Sequence, residues 1–305
     1  MVILTRGKCG LSKCITRYLV NMAAVDLLVV ITDPLLRWIG RIYFSESFLR
    51  ITPVCSFAVA LLSAGTSSSV WLTVAFTFDR FVAICCENLK AKYCTERTAA
   101  VVIASVCLLG CLVSAPWYFI YKPLYYIGNI PWGCLPKPSF YTSRAWAAFD
   151  MIDRILTPFV PFFLIMVLNV LTVRSIVAAS RVRKRLLVRS NGENEKDPET
   201  ENRRKSIVLL FSISGCFVLL WTTKVFFNVY RRVANIQVFY SYSDPNYITQ
   251  QAAFMLQVLS SCTNTCIYVL TQRRFREQLL NATKYPLHTV VKFVQRQQEP
   301  NAVKY

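Results

Sequence analysis

Six apolar stretches, each long enough to cross a lipid bilayer, recur along this sequence. A helix needs about 20 mainly apolar residues to cross the ~30 Å hydrocarbon core. Helices are the default there because lipid offers the backbone no hydrogen-bond partner. The sequence therefore predicts an all-α transmembrane helix bundle, with spans at about residues 16–39, 52–86, 99–120, 152–179, 207–230 and 249–270.

The composition excludes a soluble globular domain. Hydrophobic residues make up 54% of the chain, charged residues make up 17%, and the mean hydropathy is +0.40. Soluble domains carry about 25% charged residues. The chain therefore has too little charge to cover a water-exposed surface of its size.

Basic residues are concentrated in alternate connections between the spans. The chain has 35 Lys and Arg against 16 Asp and Glu, which gives a net charge of +19. Most of the basic residues lie in 6–17, 80–97, 174–205 and the tail from residue 273. The positive-inside rule places these segments in the cytosol. The charge is thus predicted to serve membrane topology and contact with anionic lipid, and a nucleic-acid partner is not expected.

The chain beyond the last span is basic and amphipathic at first. Residues 272–281 predict a short helix on the membrane surface. The transmembrane bundle and this helix are expected to form one unit, residues 1–281, and residues 282–305 a cytoplasmic tail.

An adjacent acid and base, Asp79 and Arg80, stand near the end of the second span. The helical rise from Cys55 to Arg80 is about 37 Å, slightly more than the hydrocarbon core. The pair is therefore predicted at the inner boundary, where the helix meets the cytosol. A snorkelling arginine that merely marks the membrane edge would look similar, but it would need no adjacent acid.

Three polar side chains, Asp26, Ser69 and Asn264, fall at one depth near the middle of the membrane when each span is measured from its inner end. A carboxylate at that depth is costly, so Asp26 should face the bundle interior. The layer predicts a site for a small cation or for a proton, with Asp26 supplying the charge. A hydrogen-bonded packing network around a protonated Asp26 is the alternative.

Two of the 12 cysteines, Cys55 and Cys134, are predicted to face outward. The topology therefore predicts one disulfide between them, in an oxidising compartment. A structural zinc site is not expected, because the sequence has no CxxC pair and a single histidine. The outer loop around Cys134 predicts a short hairpin that turns at Gly128 and Asn129.

Five short motifs occur in one order and at matching depths. They are "NMAAVDLL" around Asp26, Cys55 at an outer helix end, "FDRF" around Asp79, "NTCIY" from Asn264, and "RRFREQLL" from Arg273. Together they resemble the rhodopsin-like (class A) family of G-protein-coupled receptors over nearly the whole chain. Within the family, the sequence is most similar to the peptide and orphan branch, near the group of the probable G-protein coupled receptor 139.

The resemblance implies roles for particular residues. It implies a G-protein switch, a sodium pocket, an aromatic transmission switch and an outer disulfide. The matching positions are Asp79, Arg80, Phe81 and Tyr268 for the G-protein switch, and Asp26, Ser69 and Asn264 for the sodium pocket. They are Phe217 and Trp221 for the transmission switch, and Cys55 and Cys134 for the disulfide.

The sequence departs from the family pattern at several of these positions. Phe81 replaces a tyrosine, and Thr223 and Thr265 replace prolines that kink helices in the family. Because Asp26 matches the second helix of the family, Met1–Leu4 corresponds to the end of a first helix that is largely missing. A truncated gene model or a fragment is therefore expected.

Three residues are candidates for a ligand pocket. Lys224 stands one turn above Trp221 and would suit a ligand carboxylate, although snorkelling to the outer interface is an equal alternative. Arg154, at the outer entry of the fourth span, either lines the pocket or caps the helix. Leu62 is apolar where the amine receptors of the family hold an aspartate. A biogenic amine is therefore disfavoured, and a peptide or a small amino-acid-like ligand is favoured.

The leading hypothesis is a plasma-membrane receptor that couples an extracellular ligand to a heterotrimeric G protein. The first alternative is a truncated product that does not signal. The second is an ion-coupled transporter or channel that uses Asp26, but the paired, broken helices typical of transporters are missing from the sequence. An enzyme is not expected, because the sequence has no nucleophile–base spacing or phosphate-binding glycine loop. No cofactor is expected beyond a possible Na⁺.

Overall fold

The structure is a computed structural model that describes residues 12–44, 46–189, 198–234, 243–271, 276–277 and 280. Within these ranges the chain is mainly helical, and long apolar helices pack side by side. The predicted all-α transmembrane bundle is confirmed. Most of the predicted surface helix, and the tail from residue 281, lie outside the described residues.

Ten α-helices are present in the described part of the chain. In chain order they are α1 Lys13–Val30, α2 Gly40–Tyr43, α3 Thr52–Cys85, α4 Glu87–Tyr93, α5 Glu96–Ser114, α6 Pro138–Thr142, α7 Arg144–Arg154, α8 Val160–Arg189, α9 Pro198–Val233 and α10 Pro245–Thr271. A π-helix, Ile31–Ile39, joins α1 to α2, and a second, Ile155–Phe159, joins α7 to α8. Two 3₁₀ segments, Phe48–Arg50 and Ala115–Ile120, precede α3 and follow α5.

In the part of the chain that the structure describes, five continuous helical segments are long and apolar enough to cross a membrane. They are Lys13–Ile39, Thr52–Cys85, Glu96–Ile120, Arg144–Arg181 and Ser206–Arg231. The 27-residue helix α10 carries the sixth predicted stretch, and its length of about 40 Å is sufficient to span the core. The helix of the fourth stretch begins at Arg144, earlier than its apolar run, because polar residues continue the same helix outward.

Prolines change the local winding of three spans. Pro34 and Pro158 each lie inside a π-helical segment, and Pro116 lies at the start of the 3₁₀ segment after α5. Proline lacks an N–H and clashes with the preceding turn, so the helix rewinds locally to satisfy the freed carbonyls. By contrast, α9 runs unbroken through Thr223, where the family pattern would place a proline.

The outer loop after the third span forms two small antiparallel ladders. Strand β1 (Tyr121–Lys122) pairs with β4 (Leu135–Pro136), and β2 (Tyr125–Ile127) pairs with β3 (Ile130–Trp132). The β2–β3 turn has positive φ at both central residues, 53° at Gly128 and 62° at Asn129. Two such residues make the turn that matches strand twist in a hairpin. The predicted hairpin is confirmed.

Helix α3 is central to the bundle, with α1, α5, α8 and α9 packed around it. Its contact with α5 is close at Gly110, where an added Cβ would lie 2.4 Å from Ser68 Oγ and 3.4 Å from the carbonyl oxygen of Ala64. Small residues permit such approaches between helices in membranes, where van der Waals packing drives association. Gly110 therefore fixes the spacing of α3 and α5.

Replacing Gly110 with valine is expected to destabilise the protein by about 1–3 kcal/mol, because the added side chain overpacks the α3–α5 contact. Gly215→Val is the matched control, since a Cβ at Gly215 in α9 meets nothing within 4 Å. Thermal unfolding of the two purified variants measures the difference. Equal melting temperatures would contradict the assigned role of Gly110.

Candidate functional site

Asp79 and Arg80 form an ion pair at the inner end of α3. Arg80 Nε donates to Asp79 Oδ2 at 3.0 Å, and Nη2 donates to the same oxygen. Asp79 is 1% exposed and Arg80 is 5% exposed. Both charges are therefore buried at the inner end of the helix, because side chains of neighbouring elements cover them.

Three side chains that the sequence did not indicate satisfy this buried pair. Arg80 Nη1 donates to Ser206 Oγ of α9 at 3.3 Å. The Cys14 thiol donates to Asp79 Oδ1 at 3.3 Å, and the Cys94 thiol donates to the Asp79 carbonyl at 3.5 Å. Burial, and then the nearby Asp79 carboxylate, raise the pKa of Cys94 to about 11. The Cys94 thiol therefore stays protonated at neutral pH and remains a donor.

The other two residues of the predicted switch are placed differently. The Phe81 ring packs beside Phe78, and Phe78 makes an edge-to-face contact with Tyr93 at 5.3 Å between ring centroids. Phe81 therefore belongs to an aromatic group beside the ion pair. The side chain of Tyr268 lies outside the described residues, although its backbone is part of α10.

The predicted mid-membrane layer is brought together around Asp26, which is 3% exposed. Ser69 donates its hydroxyl hydrogen to Asp26 Oδ1 at 2.5 Å, and Asn264 Nδ2 donates to Oδ2 at 2.6 Å. These contacts join α1, α3 and α10 at a single carboxylate.

A small cavity of about 10 Å³ adjoins this layer. It has room for about one water-sized particle, and Ser69, Thr73, Ser260, Ser261 and Asn264 supply polar atoms to its wall. Carboxylate and hydroxyl oxygens are the donors that hard cations take. The cavity has the size of one small cation and hydroxyl oxygens in its wall; Asp26 does not line it, but its hydrogen-bond partners Ser69 and Asn264 do.

Two aromatic rings separate this layer from the outer half of the bundle. Phe217 and Trp221 of α9 are buried and stacked, with centroids 5.2 Å apart and an interplanar angle of 27°. Trp221 lines both the small cavity below it and a larger cavity above it. The stack is thus the floor between the two spaces.

The larger cavity, of about 280 Å³, contains all three predicted ligand-pocket candidates, Leu62, Arg154 and Lys224. Lys224 does not snorkel outward. Its ammonium donates to Gln257 Oε1 and lies 3.9 Å from the centroid of the Phe254 ring. The side chain therefore points into the bundle, where a ligand could reach it.

The charges that line the larger cavity are only partly paired. Arg37 bonds Asp33 at 3.0 Å, and Arg154 bonds both carboxylate oxygens of Asp150 at 2.7 and 2.9 Å. Among the side chains that the structure describes, Lys224 has no carboxylate within 4.0 Å. The cavity therefore contains a cation that is not bonded to a carboxylate, and Asp153 adds an acid to the same wall.

The Cys55–Cys134 disulfide is present, with a Cα–Cα distance of 6.4 Å. Beside it, the Thr52 hydroxyl donates to the Gly133 carbonyl at 2.7 Å. The outer loop is thereby fixed to the outer end of α3, and Tyr121 at the start of the loop lines the larger cavity.

Comparison with known proteins decides the family. The sequence profile of the 7 transmembrane receptor (rhodopsin family) matches residues 1–268. The chain belongs to this family. The expected resemblance to rhodopsin-like receptors is confirmed, and the chain is a multi-pass protein of the plasma membrane.

Several relatives of this rhodopsin-family chain are themselves receptors. It is 25% identical to the Tachykinin-like peptides receptor 86C of Drosophila melanogaster over 87% of its own length and 51% of the relative. It is 23% identical to G-protein coupled receptor 15 of Mus musculus, over 92% and 72% of the two chains. It is 24% identical to the B2 bradykinin receptor of Rattus norvegicus, over 86% and 63%.

The chain thus spans about half the length of the tachykinin-like receptor. The relatives support its place in the peptide and orphan branch of the rhodopsin family, whose members are receptors rather than enzymes. The narrower similarity to the group of the probable G-protein coupled receptor 139 stays a prediction.

Proposed function

We propose that this rhodopsin-family chain is a receptor that couples an extracellular ligand to a heterotrimeric G protein and catalyses no reaction. The proposed ligand is a peptide or a small amino-acid-like molecule. The names of two relatives, which refer to tachykinin-like peptides and to bradykinin, support a peptide ligand. The name of a third refers to G-protein coupling.

The observation that best supports this proposal is that a single helix, α9, reaches from the larger cavity, past the aromatic floor, to the ion pair at the inner end. It contributes Lys224 and Trp221 to the larger cavity, Phe217 to the aromatic floor, and Ser206 to the ion pair at the inner end. A helix of this length moves largely as a rigid rod. A ligand that displaces its outer half would therefore move Ser206 relative to Arg80.

The inner end has the properties of a two-state switch. Asp79 and Arg80 satisfy each other in a buried environment, so separating them requires another favourable contact for the guanidinium. In the proposal, the G protein supplies that contact when the inner end of α9 moves away. A ligand that binds the open arrangement better shifts the population toward it. Tyr268 is proposed to join this open arrangement, as the family resemblance implies.

The larger cavity favours an acidic group on the ligand. Lys224 is half-buried in the bundle and held by a neutral amide and an aromatic ring. A ligand carboxylate would supply the charge-assisted hydrogen bond that this arrangement lacks. Leu62 lines the same cavity and supplies no charge to an amine. A peptide with a free carboxyl group would pair with Lys224, whereas an amine would have to bind at an acid elsewhere in the wall, such as Asp153.

Asp26 is proposed to hold a Na⁺ ion, with Ser69 and other oxygen atoms of the small cavity completing its shell. The ion would supply a positive charge that balances the buried carboxylate. At ten times its Kd, bound Na⁺ would add about 1.4 kcal/mol of stability, or roughly 3 °C in melting temperature.

Melting in NaCl and in choline chloride at equal ionic strength tests the sodium proposal. The unaltered protein should melt higher in NaCl, and Asp26→Asn should remove the difference. Asp150→Asn is the matched control, because that carboxylate lies at the outer end of the bundle. If the unaltered protein had the same melting temperature in both salts, the result would favour the hydrogen-bonded packing network instead.

The relatives give no support to the transporter or to the non-signalling product. The receptor proposal is tested by uptake of a non-hydrolysable GTP analogue into heterotrimeric G proteins, in membranes that contain the full chain. Uptake above that of empty membranes is expected, and Arg80→Ala should reduce it to the empty-membrane level. The control Arg144→Ala, at the outer end of α7, should leave it unchanged. Uptake that persists in Arg80→Ala would overturn the proposal.

A further inference from the structure

A third cavity, of about 390 Å³ and so greater in volume than the larger cavity defined above, lies between α7, the following π-helix and α9. Its walls include Met151, Ile155, Phe159 and Val229, which are all exposed on the outside of the bundle. In a bilayer these side chains face acyl chains rather than water. We name this space the lateral groove.

Charged side chains line the lateral groove as well. Arg154, Asp150 and Arg231 contribute to it, together with the amide of Asn228. Among the described residues of the groove, two are therefore cationic and one is acidic. The net positive charge of this set favours an anionic occupant.

The lateral groove is separated from the larger cavity by residues that line both spaces. Arg154 is central to this boundary, since it bonds Asp150 on its own helix and donates to Asn228 Oδ1 of α9 at 3.3 Å. The contact joins α7 to α9 at the boundary between the two spaces.

The polarity of the groove follows the depth of the bilayer. The span Ser206–Arg231 has 26 residues and is about 39 Å long. Because Ser206 contacts Arg80 at the inner end, Arg231 lies at the level of the outer headgroups. Ile155 and Phe159 follow Arg154 along the chain, toward the membrane centre. The groove is therefore charged near the outer surface and apolar toward the membrane centre, which matches the headgroup and acyl chain of an amphiphile in the outer leaflet.

We propose that the lateral groove is a second binding site, distinct from the larger cavity, for a single-chain lipid carboxylate from the outer leaflet. The guanidinium groups of Arg154 and Arg231 would hold the carboxylate, since planar guanidinium groups match this anion in two-point hydrogen bonds. The acyl chain would lie along Ile155, Phe159 and Val229. The volume is within the range of sites for one small ligand.

Binding of radiolabelled oleate to the full chain, in nanodiscs of phosphatidylcholine, tests the proposal without any substitution. Unlabelled oleate should compete, and oleyl alcohol, which has the same chain but no charge, should compete at least about 10-fold more weakly. Equal competition by the alcohol would overturn the proposal. Stronger competition by oleyl phosphate than by oleate would also overturn it, in favour of a phosphate site.

A pair of tryptophan variants locates the bound oleate. Val229→Trp fills the groove at a residue that is 46% exposed and does not line the larger cavity. Leu219→Trp is the control, since Leu219 is 74% exposed on the same helix and lines neither space. Oleate affinity should fall at least about 10-fold in Val229→Trp alone. Unchanged affinity in that variant, or an equal loss in both folded variants, would place the oleate elsewhere and overturn the proposal.

Discussion

Asp79→Asn is expected to destabilise the resting protein by about 3–5 kcal/mol and to raise ligand-independent G-protein activation. The substitution leaves the Arg80 guanidinium buried without its counter-charge, and breaking a buried pair from one side carries a cost of this size. The resting arrangement, in which Arg80 is enclosed by α3 and α9, loses more stability than the open arrangement. Thermal unfolding measures the first effect, and uptake of the GTP analogue measures the second.

Glu96→Gln is the matched control for this prediction. Glu96 bonds Arg17 at 2.5 Å on the same side of the membrane, but both side chains are more than 40% exposed. An exposed pair contributes about 0–1 kcal/mol, so Glu96→Gln should change the melting temperature little. If the two variants melted alike, the Asp79–Arg80 pair would not have the energetic role given to it here.

Cys134→Ser is expected to destabilise the protein by about 2–4 kcal/mol. The bridge closes a chain separation of 79 residues, and cross-links over long loops remove much conformational freedom from the unfolded chain. Without the bridge, the outer loop keeps the Thr52–Gly133 hydrogen bond, a backbone hydrogen bond from Gly133 N–H to the Arg50 carbonyl at 2.8 Å, and the Ile51–Trp132 pairing. Melting temperature and the amount of protein at the cell surface should both fall.

Cys111→Ser controls for the loss of a thiol. Cys111 is a free, exposed cysteine of α5, so its replacement should leave the melting temperature unchanged. A reducing agent should lower the melting temperature of the unaltered protein to that of Cys134→Ser. If reduction had no effect on the unaltered protein, the bridge would not contribute to stability.

The positions of several site residues along the membrane normal could be predicted from the sequence. A helix rises by a nearly constant 1.5 Å per residue, so counting from the inner ends placed Asp26, Ser69 and Asn264 at one level. The structure joins all three by hydrogen bonds. The same counting, with the charge bias of the loops, placed Cys55 and Cys134 on the outer side.

The rotation and packing of the helices could not be predicted in this way. Counting gives depth, but it does not show which side chain of a neighbouring helix faces a given residue. Cys14, Cys94 and Ser206 cover Asp79 and Arg80 because of how α1, the inner loop and α9 pack around α3. The sequence places these residues near the inner surface and contains no further signal for the contact.

The local winding of the helices could not be predicted from the sequence either. Pro34 and Pro158 predict a disturbance of their helices, but the disturbance takes the form of π-helical turns. The first of these turns contains Asp33 and Arg37 and directs them toward the larger cavity. Their spacing of four residues predicts an ion pair on one helix face, but not the cavity that this face lines.

In the proposed mechanism, G-protein activation depends on the release of Arg80 from Asp79. Uptake of the GTP analogue by heterotrimeric G proteins should be measured for Asp79→Asn and for the double variant Asp79→Asn with Arg80→Ala, at matched amounts of folded protein in the membrane. The single variant should exceed the unaltered protein, and the double variant should fall to the level of empty membranes. A double variant that keeps the raised uptake would show that Arg80 is not the group through which the G protein is activated.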